Sequence, residues 1–360
     1  MKIVVATDAA SPQVNGVVRT YERVASELRA RGCEISFLGP GELPTVPLPR
    51  YSEIRIAVPV LGRVRRFLDA AKADFIHIAT EGPIGWMTWA YCLRRGIPFT
   101  TSYHTRFPEY ANALFGVPVK WGYAPIRRFH NAGIGTMTAT RSLAGELAVR
   151  GFLRLLPWSR GVDTGLFRPR DVRLFGSDAP VFLYVGRVSK EKNIEAFLEA
   201  RLPGRKVVVG GGPHLPFLKQ RFTDVHFMGP KSGEELALHY ASADVFVFPS
   251  RTDTFGLVLL EAMASGLPVA AYRVTGPVDV VVDGVTGVLH QDLEHAARSA
   301  LAIDRKAVHA HAQQFTWAHT ATQFVENIRN AHAAHARPDP EAACTAAFPW
   351  TPGHFDNTIK

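Results

Sequence analysis

Residues 245–271 read VFVFPSRTDTFGLVLLEAMASGLPVAA, and this stretch decides the fold. The apolar run Val245 to Phe248 predicts a strand, residues 256–264 predict a helix, and Pro268 to Ala271 predict a second strand. Two strands joined through a helix run parallel in one sheet. The stretch therefore predicts an α/β protein with a parallel sheet.

The same alternation of short apolar runs and longer amphipathic segments continues in both directions. Upstream, it predicts a helix from Gly16 to Arg31, ended by Gly32, and a helix from about Asn193. Further strands are predicted at Lys2 to Thr7, Glu34 to Leu38, Phe75 to Ala79, Phe99 to Ser102, Val181 to Val185, Lys206 to Val209 and Val225 to Met228. Downstream, the Ala/His/Gln-rich segment from Leu293 to His335 has helical spacing.

The length of 360 residues exceeds what one hydrophobic core usually organises. The pattern lapses around Arg168 to Pro180 into Pro, Arg, Asp, Gly and Ser, which is typical of a linker. We therefore predict two Rossmann-like domains, residues 1–170 and residues 171–336 with the terminal helix. Residues 337–360 lack periodicity and are interpreted as a tail.

Composition excludes several classes of protein. The three cysteines are widely spaced and form no C-x-x-C pair, so neither a disulfide framework nor a zinc site is predicted. The first apolar run is too short for a signal peptide, and no uncharged apolar run approaches the roughly 18 residues that span a bilayer. We expect a cytoplasmic protein that does not cross a membrane.

Two acidic residues in the opening stretch are candidates for ligand binding. Asp253 lies in the loop after a strand, and Glu261 lies in the following helix, on the order of 10 Å away at 1.5 Å per helical residue. A carboxylate accepts hydrogen bonds from vicinal hydroxyls, as the acidic residue of dinucleotide-binding folds does with ribose. The pair could therefore hold the two ends of one extended ligand.

This stretch resembles retaining glycosyltransferases of family 4, whose signature is an acidic residue, seven others and Glu, followed by Ala-Met-Ala-x-Gly-x-Pro-Val. The resemblance covers about Met1 to Phe324. It implies the GT-B fold, two Rossmann-like domains facing each other across a cleft with the C-terminal helix crossing back to the first. It also implies that Glu261 holds the donor ribose, that Asp253 holds the transferred sugar, and that the amides of Thr254, Phe255 and Gly256 lie near the diphosphate.

Cationic residues stand where a departing diphosphate would need them. Arg187 and Lys192 lie five residues apart at a predicted strand end and helix start, and fixed cations can stabilise the negative charge that develops on a leaving nucleoside diphosphate. No D-x-D occurs in the sequence, so a carboxylate-bound metal has no evident ligands. We expect a donor site that needs no metal or other cofactor, and the family clamps the diphosphate with the matching residues.

Four further positions are predicted with less support from the residues alone. Gly16 opens a helix after the loop from Asp8, which permits close approach of a phosphate. His104 follows a buried strand, and the matching histidine of the family lies beside the reacting centre of the sugar. Gly211 lies in a glycine-rich turn, which in the family is close to the base. Glu81, with Gly82, follows another strand end and ranks lower.

The distribution of charge suggests the acceptor. Residues 1–170 contain 23 Lys and Arg against 12 Asp and Glu, whereas residues 171–360 contain 18 against 20. Residues Ile54 to Ala70 are interpreted as a basic amphipathic helix, and Leu114 to Phe129 mix aromatic and basic side chains. We predict peripheral association with the anionic inner face of the cytoplasmic membrane and a lipid acceptor. Within the family, the motifs Thr80-Glu81-Gly82-Pro83, Ser102-Tyr103-His104-Thr105 and Thr252-Asp253-Thr254-Phe255-Gly256 resemble the branch that contains sulfoquinovosyl, glucosyl or glucuronosyl diacylglycerol synthases. That resemblance implies transfer of a hexose, such as glucose or glucuronic acid, from a UDP-sugar to a lipid hydroxyl such as that of diacylglycerol.

Three alternatives stay open. The motifs also resemble GDP-mannose-dependent α-mannosyltransferases within the same family, acting on a lipid or glycan. A nucleotide-sugar epimerase of the same fold would use the donor without an acceptor, but lacks the Ala-Met-Ala-x-Gly-x-Pro-Val context. The basic first half alone would also suit a nucleic-acid-binding protein, but the expected motifs are absent, so no nucleic-acid partner is predicted.

Overall fold

A computed structural model describes residues 1–10, 15–48, 51–109, 112, 116–176 and 178–337. The described residues divide into two compact units, one comprising Met1–Ser159 with residues 317–337, the other comprising Arg160–Thr316. The predicted boundary at residue 170 therefore lies inside the second unit. One reason is that the amide of Val162 donates to the carbonyl of Phe315 at 3.0 Å, which ties both ends of this unit together.

The first unit is built on a six-stranded parallel sheet with the order β2-β1-β5-β6-β7-β8. Because later strands are added on the far side of β1 from β2, the order reverses between β1 and β5. The strands are β1 (Lys2–Ala6), β2 (Glu34–Leu38), β5 (Phe75–Ile78), β6 (Phe99–Tyr103), β7 (Gly135–Thr138) and β8 (Leu155–Pro157).

Helices cover both faces of this sheet, as the continuous burial of its strands requires. The helices of the unit are α1 (Gly16–Ala30), α2 (Leu61–Ala71), α3 (Pro83–Arg95), α4 (Val119–Asn131), α5 (Arg141–Val149) and, at the end of the chain, α13 (Trp317–His335). Side chains of α1 and α13 share one core with Ile3 and Val5. Side chains of α2, α3 and α4 share another with Val4 and Ala6, on the opposite face.

A short antiparallel hairpin corrects one sequence-based expectation. Strand β3 (Thr45–Leu48) pairs with β4 (Tyr51–Ala57), so the helix predicted from Ile54 begins only at Leu61. Residues 54–57 are committed to strand pairing, which their alternating pattern also suits. Arg55 of the predicted helix therefore lies in β4, whereas Arg63, Arg65 and Arg66 lie in α2. Of the predicted segment Leu114 to Phe129, residues 114 and 115 lie outside the described part of the chain.

The second unit repeats the plan with the strand order β11-β10-β9-β12-β13-β14. Numbered within the unit, this is 3-2-1-4-5-6, the order of dinucleotide-binding Rossmann folds. The strands are β9 (Val181–Val185), β10 (Arg205–Val209), β11 (His226–Gly229), β12 (Val245–Phe248), β13 (Val269–Ala271) and β14 (Gly287–Leu289). The stretch that opened the analysis therefore forms a parallel β12-helix-β13 unit.

The helices of the second unit are α6 (Ile194–Glu199), α7 (Leu215–Arg221), α8 (Gly233–Ala241), α9 (Leu257–Ala264), α10 (Pro277–Val280), α11 (Leu293–Ala300) and α12 (Arg305–Ala312). The predicted helical segment from Leu293 to His335 is confirmed as helical but is divided into α11, α12 and α13. Asp292 and Asp304 accept from the first amides of α11 and α12, and such caps start new helices. The predicted tail lies, from residue 338 onward, outside the described residues.

Glycines bring the backbones after β9 and β10 into direct contact. A methyl group added at Gly210 would lie 1.9 Å from the carbonyl oxygen of Gly186, and one at Gly212 would lie 2.3 Å from that of Val188. Only glycine permits this approach, because any Cβ would overlap the neighbouring backbone. The contact fixes the two loops that follow these strands.

We expect Gly210→Ala to lower the stability of the second unit by at least about 1–3 kcal/mol, since backbone must move to admit the methyl group. The matched control is Gly145→Ala, in α5, where an added methyl group meets no atom within 4 Å. That change should be neutral or stabilise by up to about 1 kcal/mol, because alanine favours helix. Scanning calorimetry of both variants measures the difference, and equal transition temperatures would contradict the contact.

Candidate active site

Predicted site residues of the second unit gather at the carboxyl ends of β9 and β12. These are the two strands between which the strand order reverses, which is where ligands bind in open α/β sheets. Arg187 follows β9, and Asp253 lies in the loop after β12. The two loops are tied together, since the side-chain Nδ2 of Asn193 donates to the carbonyl oxygen of Pro249 at 3.1 Å.

Lys192 and Asp253 form a direct ion pair in this edge of the sheet. The Nζ of Lys192 lies 2.5 Å from Oδ1 of Asp253, and the two side chains are 22% and 20% exposed. A partly buried pair is less screened by solvent than a surface pair. The structure thus brings together the cation predicted for the diphosphate and the carboxylate predicted for the sugar.

Arg187 is held by its backbone in the same loop. Its carbonyl oxygen accepts a hydrogen bond from the buried hydroxyl of Tyr184 at 2.7 Å, and its side chain is half-buried. Gly211 belongs to the neighbouring turn, where its carbonyl accepts from the amide of Val188 at 2.9 Å. The glycine contacts between these turns therefore set the position from which the Arg187 side chain emerges.

The loop from Asp253 leads directly into α9. Gly256 adopts a φ of +87° at the start of the helix, a conformation that disfavours other residues. The N-cap residue Gly256 has no side chain to accept from the first amides of this helix, and helix amides of this kind can bind an anion. Phe255 is buried, while Thr254 is half-buried beside it.

Glu261 is buried inside α9 and has a specific partner. Its Oε2 accepts from the hydroxyl of Tyr240 at 2.9 Å, and Glu261 is only 6% exposed. The ring of Tyr240 is itself fixed by edge contact with Phe167. A carboxylate that remains buried needs such a donor.

In the first unit, Asp8 lies at the corresponding reversal of strand order, between β1 and β5. Its carboxylate accepts from the amides of Ile84 and Gly85 at 2.8 and 3.3 Å and from the hydroxyl of Thr80 at 2.8 Å. Asp8 therefore caps α3 from a different strand. Burial raises the pKa of Asp8 above its usual range, against the lowering effect of these hydrogen bonds.

His104 and Gly16 lie on the same side of this sheet as α1. Nε2 of His104 is 3.1 Å from the hydroxyl of Tyr21, a residue of α1. Gly16 is the first residue of that helix, and Oδ1 of Asn15 accepts from the next two amides at 3.0 Å each. Residues 11–14 of the predicted loop lie outside the described part of the chain.

Glu81 forms a second buried acidic site at the end of β5. Its Oε1 lies 2.9 Å from Nε2 of His130, and the two side chains are 2% and 0% exposed. Gly82 beside it is required by Asp8, because a methyl group there would lie 2.4 Å from the Cγ of Asp8. Sequence analysis gave Glu81 and Gly82 a low rank, and the structure places both beside Asp8 and His130 at the carboxyl end of β5.

Sequence analysis missed the partners of the predicted residues. Tyr240, Tyr21 and His130 come from helices, and no spacing in the sequence connects them to Glu261, His104 or Glu81. One signal was available. The histidine in the apolar strand Phe75-Ile76-His77-Ile78 indicates a buried polar contact, and His77 does bond to the hydroxyl of Tyr21.

We expect Asp8→Ala to destabilise the first unit by about 1–3 kcal/mol, because two amides and one hydroxyl lose their acceptor. A carboxyl group whose folded pKa is raised contributes stability that is present at low pH and lost as pH rises through that pKa. The cost of the substitution should therefore be larger near pH 4 than near pH 7. Asp74→Ala, which removes an exposed acceptor from the amide of Lys2, is the control for unfolding experiments at both pH values. A cost that grows with pH would contradict the assignment.

Both halves of the chain match glycosyltransferase family models. A family model described as "Glycosyltransferase Family 4" matches residues 14–166, and one described as "Glycosyl transferases group 1" matches residues 179–305. A GDP-mannose-dependent alpha-mannosyltransferase of Corynebacterium glutamicum is 31% identical over 318 residues, covering 80% of this chain and 76% of the relative. The sulfoquinovosyl transferase SQD2 of Arabidopsis thaliana is 31% identical over 309 residues, covering 77% of this chain and 61% of the relative.

A solved structure agrees in fold. The sucrose-phosphate synthase of Thermosynechococcus elongatus superposes with a TM-score of 0.73 at 22% identity, covering 92% of this chain and 99% of that chain. At this level of identity the likeness establishes the architecture alone, two Rossmann-like domains as in the GT-B fold.

Proposed function

The chain belongs to glycosyltransferase family 4, and from that premise we propose that it transfers a hexose from a UDP-sugar to a hydroxyl of a membrane lipid. The observation that carries the proposal is the grouping of Arg187, Lys192 and Asp253 where the strand order of the second unit reverses, with Glu261 buried in the adjoining helix. Cations, carboxylates and helix amides are the groups that bind a diphosphate flanked by two sugars.

The proposed chemistry is positioning and charge stabilisation. As the bond between the anomeric carbon and the diphosphate oxygen breaks, Arg187 and Lys192 balance the developing negative charge. The acceptor oxygen bonds to the anomeric carbon on the same face, and its proton passes to a donor phosphate oxygen, so configuration is retained. We assign Asp253 and His104 to the transferred sugar and Glu261 to the ribose.

The existing Lys192–Asp253 pair supports this division of roles. A donor that binds here offers its diphosphate to the ammonium group of Lys192 and its sugar hydroxyls to the carboxylate of Asp253. Each group exchanges its present partner for one of matching chemistry. Gly16, Gly211 and the amides of Thr254, Phe255 and Gly256 are proposed to approach the nucleotide and its phosphates.

A second donor is favoured by a specific observation. The Corynebacterium relative, which aligns with 80% of this chain, is named for its dependence on GDP-mannose. An α-mannosyltransferase acting on a lipid or glycan is therefore the second candidate function. We place transfer to a membrane lipid from a UDP-sugar first because the surface described below suits a lipid acceptor.

The donor and the cations are tested together. We expect the purified chain, offered UDP- and GDP-sugars with a membrane lipid extract, to yield a glycolipid visible by mass spectrometry from one donor of the panel.

Arg187→Ala with Lys192→Ala should reduce turnover on the order of 10³-fold or more, because charge stabilisation is lost. Activity should persist in EDTA, since no metal is proposed. Near-normal turnover by the double variant, or abolition by EDTA, would refute the respective role, and a deglycosylated or epimerised donor without acceptor product would favour another reaction.

A basic face supports the membrane-lipid acceptor. The helices α2, α3 and α4, which pack on one side of the first sheet, carry a single acidic residue, Asp69, and eight exposed basic residues: Arg63, Arg65, Arg66, Arg94, Arg95, Lys120, Arg127 and Arg128. Trp121 is 67% exposed among them, and Leu61 and Leu93 are about half exposed. We call this set the basic face. Exposed Trp and Leu amid arginines are typical of surfaces that contact anionic bilayers.

Within the described residues, no helix combines the length and apolarity needed to span a bilayer. The proposed attachment is therefore peripheral, through the basic face, at the anionic inner leaflet of the cytoplasmic membrane. Each basic residue near such a surface contributes on the order of 1 kcal/mol, and salt screens the attraction.

We expect the chain to bind vesicles of anionic phospholipid, and binding to weaken as salt rises. Arg63→Glu, Arg66→Glu and Arg128→Glu together should weaken binding by about 100-fold or more, at about 1 kcal/mol per residue. The matched control reverses three exposed basic residues elsewhere: Lys219→Glu, Lys306→Glu and Arg329→Glu. Sedimentation with anionic and with zwitterionic vesicles measures both, and equal losses in the two triple variants would show that net charge, not the basic face, is responsible.

A further inference from the structure

His104 is bonded to a network of buried polar side chains. Nε2 of His104 lies 3.1 Å from the hydroxyl of Tyr21, and that hydroxyl lies 2.8 Å from Nε2 of His77 and 3.1 Å from Oγ of Ser102. Nδ1 of His77 extends the network to Oγ1 of Thr100 at 2.8 Å. Helix α1 and strands β5 and β6 contribute these groups, so the network is part of the packed core.

This network lies among apolar side chains that pack closely in the core. His77 is fully buried, and its ring meets that of Phe324 at 4.9 Å between centroids. The rings of Tyr21 and His104 both contact Trp158, at 5.4 and 5.8 Å. Burial, aided by repulsion from His130, lowers the pKa of His77 to about 3, so its imidazole is neutral. A neutral imidazole has one N–H and one accepting nitrogen.

The hydroxyl of Tyr21 is held by groups other than His104. Oγ of Ser102 accepts from it at 3.1 Å, and Nε2 of His77 lies 2.8 Å from the Tyr21 hydroxyl and 3.0 Å from that of Ser102. The ring of His77 is fixed in turn through Nδ1, which lies 2.8 Å from the hydroxyl of Thr100. The hydroxyl of Tyr21 is therefore fixed by the core, and its bond to Nε2 orients the ring of His104.

We propose that Tyr21 is a positioning residue that orients the ring of His104 through its bond to Nε2. His77 and Ser102 support Tyr21, and outer partners of this kind commonly fix the orientation of a functional histidine. The inference rests on the proposed function in one respect, the contact of His104 with the transferred sugar. It adds which residue holds the ring in place for that contact.

The kinetic test is Tyr21→Phe, which keeps the ring and its contacts and removes only the hydroxyl. We expect kcat to fall about 10–100-fold through misplacement of His104, while the donor KM and the affinity for the nucleoside diphosphate change less than about threefold, because the predicted diphosphate ligands lie in the other unit. Tyr91→Phe, which removes a surface hydroxyl bonded to Asp69, is the matched control and should leave kcat unchanged.

A double-mutant cycle separates positioning from general damage. In a His104→Ala background, Tyr21→Phe should cost no further activity, because its effect acts through the histidine. Additive losses would overturn the proposal. If His104→Ala alone retains wild-type turnover, the proposed contact of His104 with the sugar fails and the positioning role fails with it; if His104→Ala is impaired and Tyr21→Phe is not, only the present inference fails.

A spectroscopic readout requires no turnover. In ¹⁵N-histidine-labelled protein, the ring signals lost in His104→Ala identify His104. We expect these signals to shift in Tyr21→Phe, because Nε2 loses the tyrosine hydroxyl, and to stay unchanged in Tyr91→Phe. Unchanged His104 ring signals in Tyr21→Phe would overturn the assignment whatever the kinetics show.

Discussion

Parallel pairing is the constraint on which the rest of the structure depends. It aligns the carboxyl ends of neighbouring strands on one edge of each sheet, so loops that are far apart in sequence become neighbours there. In the first unit this brings Asp8 to Thr80, and in the second it brings Asn193 to Pro249. The direct backbone contact at Gly210 keeps one such edge compact. The predicted site residues Arg187 and Asp253 follow strands at such an edge.

Charged groups at these edges are partly or fully removed from water, and each is matched by a partner suited to it. Asp8 accepts from helix amides, Glu261 from a phenol, and Lys192 pairs with Asp253. Burial of a charge is costly without such partners. The partners also differ in kind, since Asp8 is bonded to backbone amides, whereas Asp253 is paired with a lysine side chain. The first arrangement belongs to the framework of the first unit, and the second belongs to the site proposed above for the donor.

The architecture could be predicted from the sequence because it depends on two local signals, hydrophobic pattern and a short family motif. Hydrophobic pattern predicts strands such as Val245 to Phe248 and the helix that follows. The family motif identifies Asp253 and Glu261 as candidate site residues. The prediction failed at Ile54, where hairpin pairing with the neighbouring strand β3 overrides helical spacing. The partners Tyr240 and Tyr21 could not be predicted, because a single sequence does not reveal which helix faces which strand end.

The return of α13 to α1 has a consequence for biosynthesis. Phe324 and Ile328 complete the same core as Ile3 and Leu28, although more than 290 residues separate them along the chain. The amino-terminal domain is therefore discontinuous and cannot bury that face while the ribosome is still translating the middle of the message. The second unit is one uninterrupted segment, Arg160–Thr316, so its folding does not depend on a later part of the chain. The second unit can therefore complete its core during translation before the first unit does. The core of the first unit stays partly exposed until α13 has been synthesised.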